Sequence, residues 1–155
     1  MKFTVNSSEM KTVMSVVTKA ISSKPVMPIL SNVKLTIEDD RLILTGGDNE
    51  TSLSVACSVS DVENFTPICI DAALLNNALG ALGGQQLTFQ SSGNNLTAVY
   101  NGGHFNMPFL KTDEYPSLPM SEPNGKVLIS SSSLAEAMRC CRPFAANDEL
   151  RPTMN

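Results

Sequence analysis

Two helical stripes, each set among runs that alternate apolar and polar side chains, restrict this chain more than any other feature. Ser8 to Ile21 carries Met10, Val13, Met14, Val17 and Ile21 at helical spacing, with Lys11, Ser15, Thr18 and Lys19 on the opposite face. Ser7 or Ser8 can cap its start, because a side-chain oxygen satisfies the first free amides. Pro25 and Pro28 end it. Alternating runs follow: Val33, Leu35 and Ile37, then Arg41 to Leu44, then Leu53, Val55 and Cys57. Asp39-Asp40 and Gly46-Gly47 read as the turns between them.

The same order then recurs. A short strand over Pro67 to Ile70 precedes Asp71, a plausible N-cap, and a helix with the stripe Leu74, Leu75, Ala78, Leu79 and Leu82. Ala72, Ala73, Asn76 and Asn77 fall on its outward face, and Gly83-Gly84 stop it. Three strands fit Gln85–Gln90, Leu96–Tyr100 and Phe105–Phe109, with turns at Gly93-Asn94 and Gly102-Gly103. The expected fold is α+β: two β-α-β-β-β half-units, with two helices packed on one face of antiparallel sheet.

Asp113 to Gly125 holds Pro116, Pro119 and Pro123 and reads as a linker. Beyond it the chain starts again. Lys126 to Ser132 resembles Lys2 to Ser8 at an offset of 124 (126 − 2), which also sets Leu134 on Met10, Met138 on Met14, Cys141 on Val17 and Pro152 on Pro28. The new helix has the stripe Leu134, Ala137, Met138 and Cys141, and Arg139 and Arg142 fall on the polar positions of the first. Repeats of domain size mean an array. The expected division is a first domain over 1–112, a linker over 113–125, and the first strand and helix of a second such domain over 126–155. That start alone leaves an apolar face uncovered, so the chain is expected to be a fragment, or to be covered by another copy.

Composition removes several function classes. With 155 residues and 42% hydrophobic content the chain supports one ordinary core and not comfortably two. No run approaches a membrane-spanning length, and no signal-peptide apolar core follows Met1, so a cytoplasmic location with no membrane partner is expected. Cys57, Cys69, Cys140 and Cys141 match no zinc pattern and read as reduced thiols, so neither metal nor cofactor is expected. The net charge of −4 argues against a general nucleic-acid coat, although the placement of the basic groups matters more than their sum. There is no nucleophile elbow, phosphate loop or metal motif. Asp39-Asp40 and Asp113-Glu114 are paired carboxylates in turns or linkers, where such pairs are usually only solvated. An enzyme is not expected.

Four stretches, in their order and spacing, give the chain a resemblance to the bacterial DNA sliding clamp, the beta subunit of the DNA polymerase III holoenzyme. They are Lys2-Phe3-Thr4-Val5, Ser22 to Asn32, Leu44 to Leu53, and Asp113-Glu114-Tyr115-Pro116-Ser117-Leu118-Pro119. Leu150 to Asn155 is similar to the beginning of the second domain's sheet in that family. The resemblance implies three similar domains per chain and two chains, head to tail, per ring. It implies a processivity factor that encircles duplex DNA without reading its sequence, and that engages the polymerase and clamp loader subunits. Lys24 would occupy a DNA-contacting loop, and Lys11, Lys19, Arg139 and Arg142 would face the hole. His104, Phe105 and Met107 match the strand at which the ring closes on its partner, although Phe105 and Met107 suit core packing equally. Arg151 and Met154 match the start of the peptide cleft. One departure is plain: the helix after Asp71 has no Lys or Arg on its outward face, where family members often do. The competing reading is a stand-alone, non-catalytic interaction module that self-associates through an open sheet edge.

Overall fold

The computed structural model describes residues 1–48, 50–116 and 125–146. The chain forms two compact units, Met1–Pro119 and Met120–Asn155. In the first, the order is β1 (Lys2–Asn6), α1 (Ser7–Val17), β2 (Asn32–Glu38), β3 (Arg41–Gly47), β4 (Ser52–Glu63), β5 (Ile68–Asp71), α2 (Ala72–Gly80), β6 (Gln86–Ser92), β7 (Asn95–Tyr100) and β8 (Gly103–Lys111). These are two β-α-β-β-β half-units, as the sequence periodicity requires.

How the halves join was not legible in the sequence. Each half's first strand is inserted between its own last strand and the other half's second strand. Strand β1 pairs with β4 and β6, while β5 pairs with β8 and β2, all antiparallel. The ladder therefore runs β1-β4-β3-β2-β5-β8-β7-β6 and closes on itself. Closure satisfies most backbone groups that open edges would leave bare. One core receives Phe3 and Val5, Val33 and Leu35, Leu42 and Leu44, Ile68 and Ile70, Leu87 and Phe89, and Met107, together with both helices. Phe3 stacks on Phe89 with ring centroids 4.8 Å apart and meets Phe65 edge-on at 5.5 Å. This is geometry in which aromatic pairs add to simple burial.

The helices follow their stripes with local corrections. Helix α1 buries Met10, Val13, Met14 and Val17. Its regular turns stop at Val17, and a 3-10 turn over Thr18–Ala20 carries the chain on. The cap is Asn6, whose Oδ1 accepts from the amides of Ser8 and Glu9. Ser7 instead joins the halves: its hydroxyl donates to the Gly83 carbonyl and accepts from the Gln85 amide. Helix α2 buries Ala72, Leu75 and Leu79, whereas Leu74 is 40% exposed. The expected stripe was thus one position wide of the true one, since a run of Ala and Leu fixes helical phase poorly. Asp71 caps it, accepting from the Leu74 amide at 2.7 Å.

Two turn assignments also change. Gly46 and Gly47 lie in β3 and are buried. A Cβ on Gly46 would sit 2.7 Å from Val17 Cγ1 and 2.8 Å from Ile21 Cγ1, so the missing side chain is what lets the end of α1 close on the sheet. The turn itself follows, where the Asp48 carboxylate accepts from the Glu50 and Thr51 amides at 3.1 and 2.8 Å. Asp39 and Asp40 do form the β2–β3 turn, with φ of 47° and 57°. Both central residues in the left-handed region make a turn that matches the sheet's twist and favours Asn or Gly.

In the second unit, α3 (Ser131–Cys141) forms, followed by a 3-10 turn over Arg142–Phe144. No strand forms over Lys126–Ser130, contrary to expectation: a strand exists by its ladder, and no described residue pairs with these. Leu134 is 48% and Met138 65% exposed. Among the described residues no helix is long and apolar enough to cross a membrane.

Two substitutions test this packing by denaturant unfolding. Gly46→Ala should destabilise the chain by about 1–3 kcal/mol, because the added methyl meets packed side chains. Asp40→Gly should stabilise it by less than about 1 kcal/mol, because relief of left-handed strain of about 1–2 kcal/mol outweighs the roughly 0.4–1 kcal/mol lost to glycine's greater freedom in the unfolded chain.

Candidate nucleic-acid and assembly surfaces

Lys11 lies on the exposed face of α1, Lys19 on the 3-10 turn after it, and Lys24 in the exposed loop before Pro28. Helical phase separates the first from the apolar stripe, and the prolines keep the loop out of regular structure. Among the described residues the one ion pair joins Lys2 and Glu63 at 3.1 Å, so these three ammonium groups hold no carboxylate partner. The Lys24 loop borders a groove of about 320 Å³ against the start of α2, lined by Ile21, Ser22, Ser23, Pro25, Asp71 and Asn76 among others. Arg139 and Arg142 are exposed on the second unit, on α3 and the turn that follows it. Arg151 and Met154 lie outside the described residues. On α2 the outward residues are Ala73, Leu74, Asn76 and Asn77, with no basic side chain, and Ala72 is buried rather than outward.

Strand β8 splits the three edge residues by face. His104 is exposed, Phe105 packs half-buried against the core, and Met107 is buried within it. Their backbone has a common property. Gly103–Pro108 pairs with β7 alone, because β5 reaches only Phe109–Lys111. Strand β4 repeats the arrangement: Ser52–Ser58 pairs with β3 alone, and β1 engages only beyond it, at Val59, Ser60 and Glu63. Each half-unit thus has one stretch of last strand with a bare edge among the described residues. The β4 edge was missed in the sequence. The half-unit repeat was the available signal, since β4 stands in the first half where β8 stands in the second.

The nucleophile inventory is quiet. Cys57 and Cys69 are buried, and burial pushes each thiol up to about 11, so both stay protonated near neutrality. Cys140 and Cys141 are exposed on α3. Among the described residues no group of three or more His, Cys, Asp or Glu side chains could hold a metal ion.

Set against known proteins, this arrangement belongs to one family. Residues 1–119 match the model of the DNA polymerase III beta subunit, N-terminal domain, and the chain is a member of that family. It is 30% identical to the beta sliding clamp of Synechococcus elongatus over 155 residues, which are 97% of this chain and 41% of that one. It is 26% identical to the beta sliding clamp of Bacillus subtilis, matching 99% of this chain and 43% of that protein. The fold is that of the solved sliding clamps. The Bacillus subtilis clamp superposes with a TM-score of 0.89 at 25% identity, over 98% of this chain and 42% of that one. The Pseudomonas aeruginosa clamp, solved with griselimycin bound, gives 0.91 at 21% identity, over 100% of this chain and 42% of that one. The chain thus spans well under half the length of these relatives.

The turn after Gly47 sits inside one of the matching stretches and has a pH signature. The Thr51 amide, with help from the Glu50 amide, holds the Asp48 carboxyl below its ordinary 3.8. A depressed folded-state value makes the stabilisation fully present above the unfolded value and lost as pH falls through the folded one. The stability advantage of the wild type over Asp48→Asn should therefore be flat above about pH 5 and disappear below the ordinary carboxylate range, as followed by urea unfolding from pH 2 to 6.

Proposed function

We propose that this chain supplies the first domain, over 1–112, and the beginning of a second, over 126–155, of a DNA sliding clamp, with 113–125 as the connector. The clamp is a non-catalytic ring that encircles duplex DNA and tethers a polymerase in the cytoplasm. The observation that carries this reading is the pair of bare edges, Ser52–Ser58 on β4 and Gly103–Pro108 on β8. A unit with one joinable edge in each half can meet a neighbour on either side by adding strand to strand, and repeated head-to-tail joining closes a ring. In this scheme the β4 edge is a second place for strand addition. The β8 edge, with His104 exposed beside it and Phe105 and Met107 stiffening it from the core, meets the partner copy. The stripe of α3 is then covered by the remaining strands of the second domain.

DNA is held weakly, by charge. Lys11, Lys19 and Lys24, with Arg139 and Arg142 from the second domain, face the hole and contact phosphate without reading bases. The outward face of α2 carries no basic side chain, so charge attraction on this side comes from α1 and the Lys24 loop. Polymerase and clamp loader subunits dock elsewhere, in a cleft to which Arg151 and Met154 contribute.

The test uses the full-length protein loaded on nicked circular duplex DNA. A ring stays on the circle and leaves when a single cut makes it linear. Equal release from circular and linear DNA would reject encirclement and favour a self-associating interaction module. Within the same assay, Lys24→Ala should lower the slope of log affinity against log salt by about one unit, with no dependence on DNA sequence. An unchanged slope would remove Lys24 from the contact surface.

A further inference from the structure

The connector does not begin where its composition changes. Cys69 on β5, Lys34 on β2 and Thr45 on β3 are direct register partners, so they form one row across three strands. Their neighbours Val33, Leu35, Leu44, Ile68 and Ile70 point into the main core. By strand alternation the row therefore lies on the sheet face away from the helices. Tyr115, two residues into the expected linker, lies across this row. Its hydroxyl donates to the Thr45 carbonyl at 3.2 Å, and the Lys34 ammonium is 5.9 Å from its ring centroid. Its ring packs against a small cluster of Ile29, Leu30 and Cys69 that is separate from the main core. The Tyr115 amide donates to the Thr112 carbonyl at 3.0 Å, which turns the chain back onto the sheet.

The same cluster holds the base of the Lys24 loop. Ile29 and Leu30 belong to the 3-10 turn Pro28–Ser31 that ends that loop, and Leu30 is only 1% exposed. Asn32 locks the turn, its side-chain amide donating to the Ile29 carbonyl at 3.1 Å. Burial of the Tyr115 phenol, which pushes it up to about 12, agrees with a seated side chain.

We propose that Tyr115 is a clasp: it fastens the first residues of the connector to the outer face of the sheet and, through the Ile29–Leu30–Cys69 cluster, braces the base of the Lys24 loop. The docked part of the first unit then extends to Tyr115 rather than stopping at the end of β8. The loop and the start of the connector are held by one side chain. The clasp stands on contacts within the first unit, so its failure would leave the clamp reading untouched, and failure of encirclement would leave the clasp untouched.

Hydrogen exchange on the 155-residue chain tests it, read by mass spectrometry. In Tyr115→Ala, amides of 112–115 and of 29–32 should exchange about tenfold faster or more, while β6 and β7 keep the protection they have in the wild type. Tyr115→Phe retains the ring and loses one hydrogen bond, so it should fall between the two. Unchanged exchange at both segments in the alanine variant would overturn the clasp. So would a uniform rise across all strands, since that is general destabilisation rather than local release. Acceleration at 112–115 alone would overturn the brace on the loop.

Discussion

The main-chain ladder that threads each half-unit's first strand into the other half is the constraint on which the rest depends. Strands β1 and β5 each have two partners, one from their own half and one from the other. Neither half can complete its sheet alone. The helices follow from this, because α1 leaves β1 and α2 leaves β5, and both must lie over the joined apolar face. Ser7 ties the arrangement at the start of α1, giving and receiving hydrogen bonds with Gly83 and Gln85 just beyond α2. Satisfying buried polar groups across the two halves fixes their register more tightly than apolar burial alone would.

The same ladder also sets where strand edges stay bare among the described residues. Because β5 reaches only the end of β8, and β1 only the far end of β4, each last strand has paired and bare stretches in one continuous element. Each bare stretch is paired along its other side, with β3 or β7, which holds its backbone extended before any contact. The lysines sit elsewhere, on α1 and the loop after it. A chain with net charge −4 can thus carry exposed lysines along α1 and the loop after it and remain acidic in sum.

Much of the fold was legible in the sequence, because periodicity is a direct consequence of burying one face. The half-unit order, the antiparallel class and the α1 stripe could be read from it. Errors arose where local signals compete. Asn6, Ser7 and Ser8 are all cap formers, and only the geometry shows Asn6 as the cap and Ser7 as the link between halves. Gly46-Gly47 resembles a turn locally, yet its glycines serve the close approach of Val17 and Ile21. Asp113 to Gly125 resembles a linker throughout, yet Tyr115 at its start is docked. Proline content marks the absence of regular structure, and says nothing of whether one aromatic side chain finds a seat.

What the sequence determined by itself was the set of elements, their order and their faces, together with the family likeness and the basic residues along α1 and its loop. These depend on neighbours within a few positions, so they are written in short windows of the chain. Only the tertiary structure decided which strands meet, where the ladder leaves an edge bare, and which residues of one row share Tyr115. Cys69, Lys34 and Thr45 come from three strands, and nothing in their local sequence tells of the others. Long-range register brings them together, and it is set by the whole closed sheet.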